Sequence, residues 1–255
     1  MASLRTGAVL LLLVISHAAG QTPVSMGHVH LNSADPAAQK TFWTSVIGAA
    51  PYDRNNLSGV QAPGALILFR QATPTGTSVG SSVNHIGFIV PALAPFYPKL
   101  DAAGYKYTKS AATPQVMIDG PDGVRIELTE DTSAKIPLRF HHVHFNVPDS
   151  KEAQAWYARV FGAAPGKRAQ WDAADIPGAN LTYTQVPAPA APTAGRAIDH
   201  IGFDIRDLEA FCRKLSESGV KLDTPYQKAP RIGLALAFVT DPWGTRIELN
   251  EPLEK

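Results

Sequence analysis

The sequence predicts an α+β fold made of four tandem βαβββ units, and three observations carry that expectation. Residues 28–51 align without a gap against residues 142–165, at an offset of 114. Asn84-His-Ile-Gly-Phe-Ile-Val90 returns as Asp199-His-Ile-Gly-Phe-Asp-Ile205, at an offset of 115. The chain is therefore a tandem duplication. Each repeated segment also alternates with period 2. In Arg139-Phe-His-His-Val-His-Phe-Asn-Val-Pro-Asp149, Val143, Phe145 and Val147 share one face of a strand and His142, His144 and Asn146 share the other. Finally, a helical stretch and then further strand-like segments follow each copy.

In the first unit a strand over 27–33 leads to a helix that starts near Asp35. Its apolar stripe is Phe42, Trp43, Val46 and Ile47, and Gly48 is a stop signal. Strand-like segments end at Gly64-Ala-Leu-Ile-Leu-Phe-Arg-Gln71, and a Thr/Gly/Ser-rich connector covers 72–83. The second unit has a strand over 85–90 and a helix around 92–103 closed by Gly104. Its strands over 115–118 and 123–129 are joined by the turn Asp119-Gly-Pro-Asp-Gly123. The second half repeats this order, with helices near 150–161 and 207–218, the latter stopped by Gly219. A Pro/Ala-rich loop spans 186–195, and a last hairpin spans 238–250. The expected organisation is a leader over 1–20, a first domain over 26–130 (units 26–71 and 84–130), a linker over 131–138, and a second domain over 139–252 (units 139–186 and 197–252).

Arg5, the short apolar run Ala8-Val-Leu-Leu-Leu-Leu-Val-Ile15 and the small residues Ala18-Ala-Gly20 read as a signal peptide cleaved before Gln21. The mature protein is thus expected to be periplasmic or secreted, with no membrane attachment after cleavage. The formal net charge is +1 with no Lys/Arg run, which disfavours nucleic acid as a partner. The expected partner is a small-molecule substrate, and the expected assembly a monomer or homodimer. The single cysteine, Cys212, sits in a helical context and reads as a small buried hydrophobe.

Four strand-helix-strand-strand-strand units in one chain resemble the vicinal oxygen chelate superfamily, which includes glyoxalase I, extradiol dioxygenases and bleomycin-resistance proteins. The matching motifs are Asp199-His-Ile-Gly-Phe-Asp-Ile-Arg-Asp207, Trp156-Tyr-Ala-Arg-Val-Phe-Gly162 and Asp241-Pro-Trp-Gly-Thr-Arg-Ile-Glu-Leu249. The resemblance covers residues 26–252. It implies two glyoxalase-like domains with cupped mixed sheets. Units either pair within each half, or pair first with fourth and second with third.

The final strands complete the chemistry. In Thr245-Arg-Ile-Glu-Leu-Asn250, Ile247 and Leu249 share one face, and Arg246, Glu248 and Asn250 the other; Arg125, Glu127 and Thr129 repeat that polar face. If units pair within halves, His142, His200 and Glu248 converge in one concavity, and His28, His85 and Glu127 in the other. Two imidazoles and a carboxylate suit a divalent transition metal, Fe2+, Mn2+, Zn2+ or Ni2+, with coordination positions left open. The resemblance assigns these residues the same duty. Pairing first with fourth would instead group His28 with His200 and Glu248. Gln71 and Gln185, matched at the repeat offset, are either neutral fourth ligands or polar strand ends. His30 and His144 lie two residues beyond the ligand position, opposite Gly87 and Gly202 in the alternate units, and are candidate acid/base residues in a pocket. Tyr183, Arg246 and Asn146 are candidate substrate contacts.

The resemblance implies a metal-dependent enzyme acting on adjacent oxygens of a small organic molecule. Extradiol-type oxygenation fits a three-ligand set, although the tyrosine that such members carry about ten residues before the glutamate is Phe238 or Met117 here. Glyoxalase-type isomerisation calls for a fourth carboxylate that neither Leu66-Ile-Leu-Phe-Arg-Gln71 nor Leu181-Thr-Tyr-Thr-Gln185 contains. A binding protein of the bleomycin-resistance kind would have no need of the His/His/Glu set. Dioxygenase-like chemistry is slightly favoured, with the other two as alternatives.

Overall fold

The computed structural model describes residues 24–253, so the leader expected over 1–20 lies outside the described residues. The first unit comprises β1 (Val24–Ser33), α1 (Pro36–Thr41) continued by a π-helical turn Phe42–Ile47, β2 (Ala50–Arg54), β3 (Leu57–Ala62) and β4 (Ala65–Gln71). The second comprises β5 (Val83–Val90), α2 (Tyr97–Ala102), β6 (Lys106–Lys109), β7 (Gln115–Asp119) and β8 (Arg125–Glu130). In the third are β9 (Arg139–Val147), α3 (Ser150–Phe161), β10 (Ala164–Arg168), β11 (Trp171–Ile176) and β12 (Ala179–Gln185). The fourth contains β13 (Ile198–Ile205), α4 (Leu208–Glu217), β14 (Leu222–Ala229), β15 (Leu234–Thr240) and β16 (Arg246–Pro252). Among the described residues no helix is long and apolar enough to cross a membrane.

Local chemistry explains the helix ends. Asp35 and Asp149 accept from the backbone N–H groups two and three residues on, each capping the helix that follows. Gly48 and Gly162 end those helices at φ +88° and +69°, a left-handed conformation that costs glycine little. The helix expected over 92–103 is shorter than predicted and covers only Tyr97–Ala102. Pro95 and Pro98 lie within the expected stretch, and a proline disfavours the helical conformation of the residue before it.

The units pair first with fourth and second with third. One eight-stranded sheet runs β14-β15-β16-β13-β1-β4-β3-β2 and the other β10-β11-β12-β9-β5-β8-β7-β6. Self-contained domains over 26–130 and 139–252 are therefore corrected, since each half of the chain contributes to both sheets. Within a unit, the first strand pairs in parallel with the last, as β1 does with β4. That leaves one free edge, which an antiparallel first strand covers: β13 on β1 and β9 on β5. The eight residues of 131–138 carry the chain from β8 past β5 to β9, two strand spacings or about 10 Å away.

The halves remain linked through the core between the sheets. Trp43 packs on Phe88 and Phe42 on Tyr105, joining the first unit to the second. Phe161 packs on Phe203 and Phe211, joining the third to the fourth. The Tyr157 hydroxyl donates to buried Asp241 at 2.8 Å across the same junction. Sheet pairing thus runs across the halves and helix packing runs within them. Cys212 is buried on α4, as its sequence context predicts.

The central strand pairs also set the polar faces. In the first sheet His28 lies opposite Gly202 and His30 opposite His200; in the second His142 lies opposite Gly87 and His144 opposite His85. The glycines leave room for the facing imidazoles themselves, since a Cβ on Gly202 would overlap the His28 ring and one on Gly87 the His142 ring. Gly202→Ala should destabilise the fold by about 1–3 kcal/mol through this overpacking. Gly166→Ala, whose added methyl meets nothing within 4 Å, should be nearly neutral. Chemical denaturation of both variants checks the contrast, and equal effects would contradict it.

Candidate metal centres

The first sheet assembles His28 and His30 from β1, His200 from β13 and Glu248 from β16. Their ligand-capable atoms all lie within 4.8 Å of one another. Glu248 Oε2 stands 2.8 Å from His200 Nε2 and 3.5 Å from His28 Nε2. A metal held at about 2.1 Å by each donor would place those donors about 3–4 Å apart, so the spacing fits. His28 Nε2 is buried without a hydrogen-bond partner among the described residues, an orphan that a metal would satisfy.

A surrounding layer orients these groups. His200 Nδ1 contacts Asp199 Oδ1 at 2.6 Å, the carboxylate-histidine arrangement that fixes a ligand ring and raises its basicity. Asp199 is held in turn by Arg246 Nη1 at 3.1 Å, Arg70 Nη2 at 3.2 Å, Asn32 Nδ2 at 3.1 Å and the Gly195 N–H at 2.7 Å. Burial alone would raise the carboxyl pKa of Glu248, but the imidazoles of His200 and His28 outweigh it and hold the group well below the usual carboxylate range. For His200, burial would lower the pKa, and Asp199 and Glu248 together raise it above the ordinary imidazole value. A divalent ion binding here would displace that proton. The centre opens onto a cavity of about 1200 Å³, walled by Leu57, Leu66, Leu68, Leu236 and Phe238 and rimmed by Arg54.

The second sheet brings His85 from β5, His142 and His144 from β9, and Glu127 from β8 together. Glu127 Oε2 is 3.3 Å from His85 Nε2 and 3.8 Å from His142 Nε2, and the two imidazole nitrogens are 3.3 Å apart. These spacings also match a ligand set, but the charge differs. Glu127 Oε1 accepts from Arg168 Nη2 at 2.8 Å, Gln115 Nε2 at 3.0 Å and Thr129 Oγ1 at 2.8 Å. His85 faces the neutral Asn84 amide where His200 faces the Asp199 carboxylate. Burial holds His142 well below the ordinary imidazole range, and lowers His85 despite the pull of Glu127.

The expected grouping of His142, His200 and Glu248, and of His28, His85 and Glu127, is corrected by the sheet pairing: the sets are His28/His200/Glu248 and His85/His142/Glu127. Gln71 and Gln185 are remote from both. Gln71 Nε2 donates to the Ala34 carbonyl at an exposed strand end. In the period-2 pattern Leu66, Leu68 and Arg70 face the cavity, so Gln71 faces away. Gln185 pairs with Val147 and is likewise an exposed strand end. Tyr183 is also corrected: it is buried in the core against Phe145 and Tyr157, because it shares a face with Leu181. Arg246 lines the cavity, stacked over Phe238 at 4.1 Å. Asn146 lies on the polar face of β9, while its repeat partner Asn32 does the hydrogen bonding around Asp199. Sequence reasoning missed Asn32, Arg70, Asp199 and Arg168. Asn32 was visible as the repeat partner of Asn146, and Asp199 as the residue before a candidate ligand histidine.

Residues 139–249 match the family model described as the Glyoxalase/Bleomycin resistance protein/Dioxygenase superfamily. No curated protein sequence matches the chain. Among solved structures, a Bacillus subtilis protein assigned provisionally to the dioxygenases is similar at 17% identity and a TM-score of 0.69, over 91% of this chain and 86% of that one. Glyoxalase I from Zea mays is similar at 16% identity and a TM-score of 0.66, over 89% of this chain and 92% of that one. At such identities the likeness is one of fold, and it matches the expected glyoxalase-like architecture of tandem βαβββ units.

Acid should destabilise the metal-free protein. Burial holds His30 and His144 at about 3 and His141 at about 4, from an ordinary 6.5. Glu127, Glu248 and Asp199 are also depressed, their partners outweighing the effect of burial. Each of these groups contributes stability that is present above its unfolded pKa and lost as pH falls through its folded pKa. His200 is raised, and burial raises Asp241 to about 6; these two run the other way and are outnumbered. The melting temperature should therefore fall steadily from about pH 6.5 to about pH 3. A flat or rising melting temperature across that window would contradict this assignment.

Proposed function

We propose that this chain, which belongs through residues 139–249 to the glyoxalase/bleomycin resistance/dioxygenase superfamily, is an exported metal-dependent enzyme whose working centre is His28, His200 and Glu248. The observation that carries the reading is the contrast within one cavity. A preorganised His/His/Glu set sits at its base, and the neighbouring strand β4 offers Leu66 and Leu68 where a fourth, carboxylate ligand would be needed for glyoxalase-type isomerisation. His28, His200 and Glu248 would hold the ion as a three-residue set, which favours dioxygenase-like chemistry on a small molecule with neighbouring oxygens.

When bound, Fe2+, Mn2+, Zn2+ or Ni2+ would act as a Lewis acid toward those oxygens and stabilise developing negative charge. The chain's own residues have separate tasks. Asp199 fixes the His200 ring so that Nε2 faces the centre, and Arg70, Arg246 and Asn32 keep Asp199 in place. His30, its ring centroid 4.7 Å from that of His200, is held neutral by burial and offers an imidazole nitrogen to accept a hydrogen bond from a substrate hydroxyl. Phe238 lies opposite Glu248 in the β15–β16 pair and touches His200 edge-on, so the position of the usual acid/base tyrosine supplies a wall and no proton. The leucines around it exclude water and seat a carbon skeleton.

Metal analysis of the purified mature protein, followed by oxygen-uptake assays with catechols beside a lyase/isomerase panel, tests the proposal. Metal-dependent turnover is expected, with Glu248→Gln reducing both metal content and rate. A protein with no micromolar affinity for iron, manganese, nickel or zinc would leave only small-molecule binding. Asp199→Asn should weaken metal affinity by about 10- to 100-fold through loss of the carboxylate behind His200. Competition titration with a chromogenic chelator reads this directly, and an unchanged affinity would remove Asp199 from the centre.

A further inference from the structure

We propose that Arg168 is the resident cation of the second centre, and that its guanidinium excludes a divalent metal from His85, His142 and Glu127. Arg168 closes β10, an edge strand, while Glu127 lies on β8, five strands away in the same sheet. The sheet is curled far enough for one edge to reach the other half of the cup, and Arg168 Nη2 meets Glu127 Oε1 at 2.8 Å. Both side chains are largely buried, with 14% and 4% exposure. A second nitrogen, Nη1, is buried without a partner among the described residues, and Glu127 is the carboxylate that the guanidinium meets.

The repeat supplies an internal comparison. Arg54 ends β2 at the position that Arg168 occupies in β10, at the offset of 114. Arg54 is exposed at the rim of the 1200 Å³ cavity and forms no ion pair among the described residues, while Glu248 is left to His28 and His200. The same residue therefore stands clear of one carboxylate and closes on the other. Arg168 bonds Oε1 while Oε2 faces His85 and His142, so the guanidinium offsets the charge that a divalent ion would need from this carboxylate and sets a like charge beside it. Asn84 in place of a carboxylate further reduces what the second centre offers a cation. Glu127, Gln115, Thr129 and Arg168 together form a closed hydrogen-bonded cluster.

The inference rests on reading His28, His200 and Glu248 as a metal set, and the experiment separates the two. Cobalt(II) serves as the probe, read by its visible absorption and by elemental analysis after gel filtration, on the full mature chain. Wild type should hold one ion per chain, His200→Ala none, Arg168→Met two, and the double variant one. An Arg168→Met protein with the wild-type count overturns the proposal, as does a His200→Ala protein that retains one ion. If wild type holds none and Arg168→Met holds one, the assignment of Arg168 stands and the proposed function falls. Circular dichroism checks folding. Should Arg168→Met fail to fold, Arg168→Gln takes its place, with two ions expected and the wild-type count again overturning the proposal.

Discussion

The structure depends on one repeated contact, the antiparallel pairing of two first strands in which an imidazole lies over a glycine. His28 over Gly202 and His142 over Gly87 place a ring from one unit against the backbone of another. Any side chain at either glycine would force the ring out. The contact therefore couples sheet assembly to ligand placement, because the strands that close the free edges also deliver the histidines. Once β1 lies beside β13, and β13 beside β16, His28, His200 and Glu248 are brought together without a loop. Groups carried on paired strands in this way are held more rigidly than groups on connecting segments.

Much of this was legible in the sequence. The offset of 114, the period-2 strands and the glycine stops define four units whose order the structure reproduces. The candidate ligands were legible too, since His28, His85, His142 and His200 recur at one position and Glu127 and Glu248 at another. What the sequence left open was the partner of each unit. Both arrangements bury the same apolar faces, and linkers such as 131–138 are long enough for either. The outcome lies in which edge meets which, and that is a property of assembled sheets. The parity rule, applied strictly, would also have removed Gln71 and Tyr183 from the candidates. Gln71 is one residue out of phase with Leu66, Leu68 and Arg70, and Tyr183 is in phase with the core residue Leu181.

The helices show a second kind of limit. The apolar stripe of α1 and its π-helical continuation was read correctly as Phe42, Trp43, Val46 and Ile47, all buried. Its target, Phe88 of the other sheet, has no local signature. Amphipathicity tells which face is hidden and is silent on what hides it. The same holds for Tyr157, whose hydroxyl reaches Asp241 in the next unit. Such cross-unit contacts keep the two sheets in one body even though their strands do not pair.

The two centres show how a duplicated ligand set can diverge through charge alone. Their histidines and glutamates are equivalent in register and similar in spacing. In the first, Glu248 and Asp199 are two buried carboxylates on either side of His200, and the nearby arginines, Arg70 and Arg246, bind Asp199 without touching Glu248. Negative charge is thus concentrated at the ligand oxygen, where a divalent ion would be most strongly stabilised. In the second, the outer carboxylate is the Asn84 amide and the inner one is already matched by Arg168. The electrostatic demand is met from within the chain. Geometry alone would rate the two centres as equals. The placement of these charged groups suits the first to a cation and makes the second a closed ion pair.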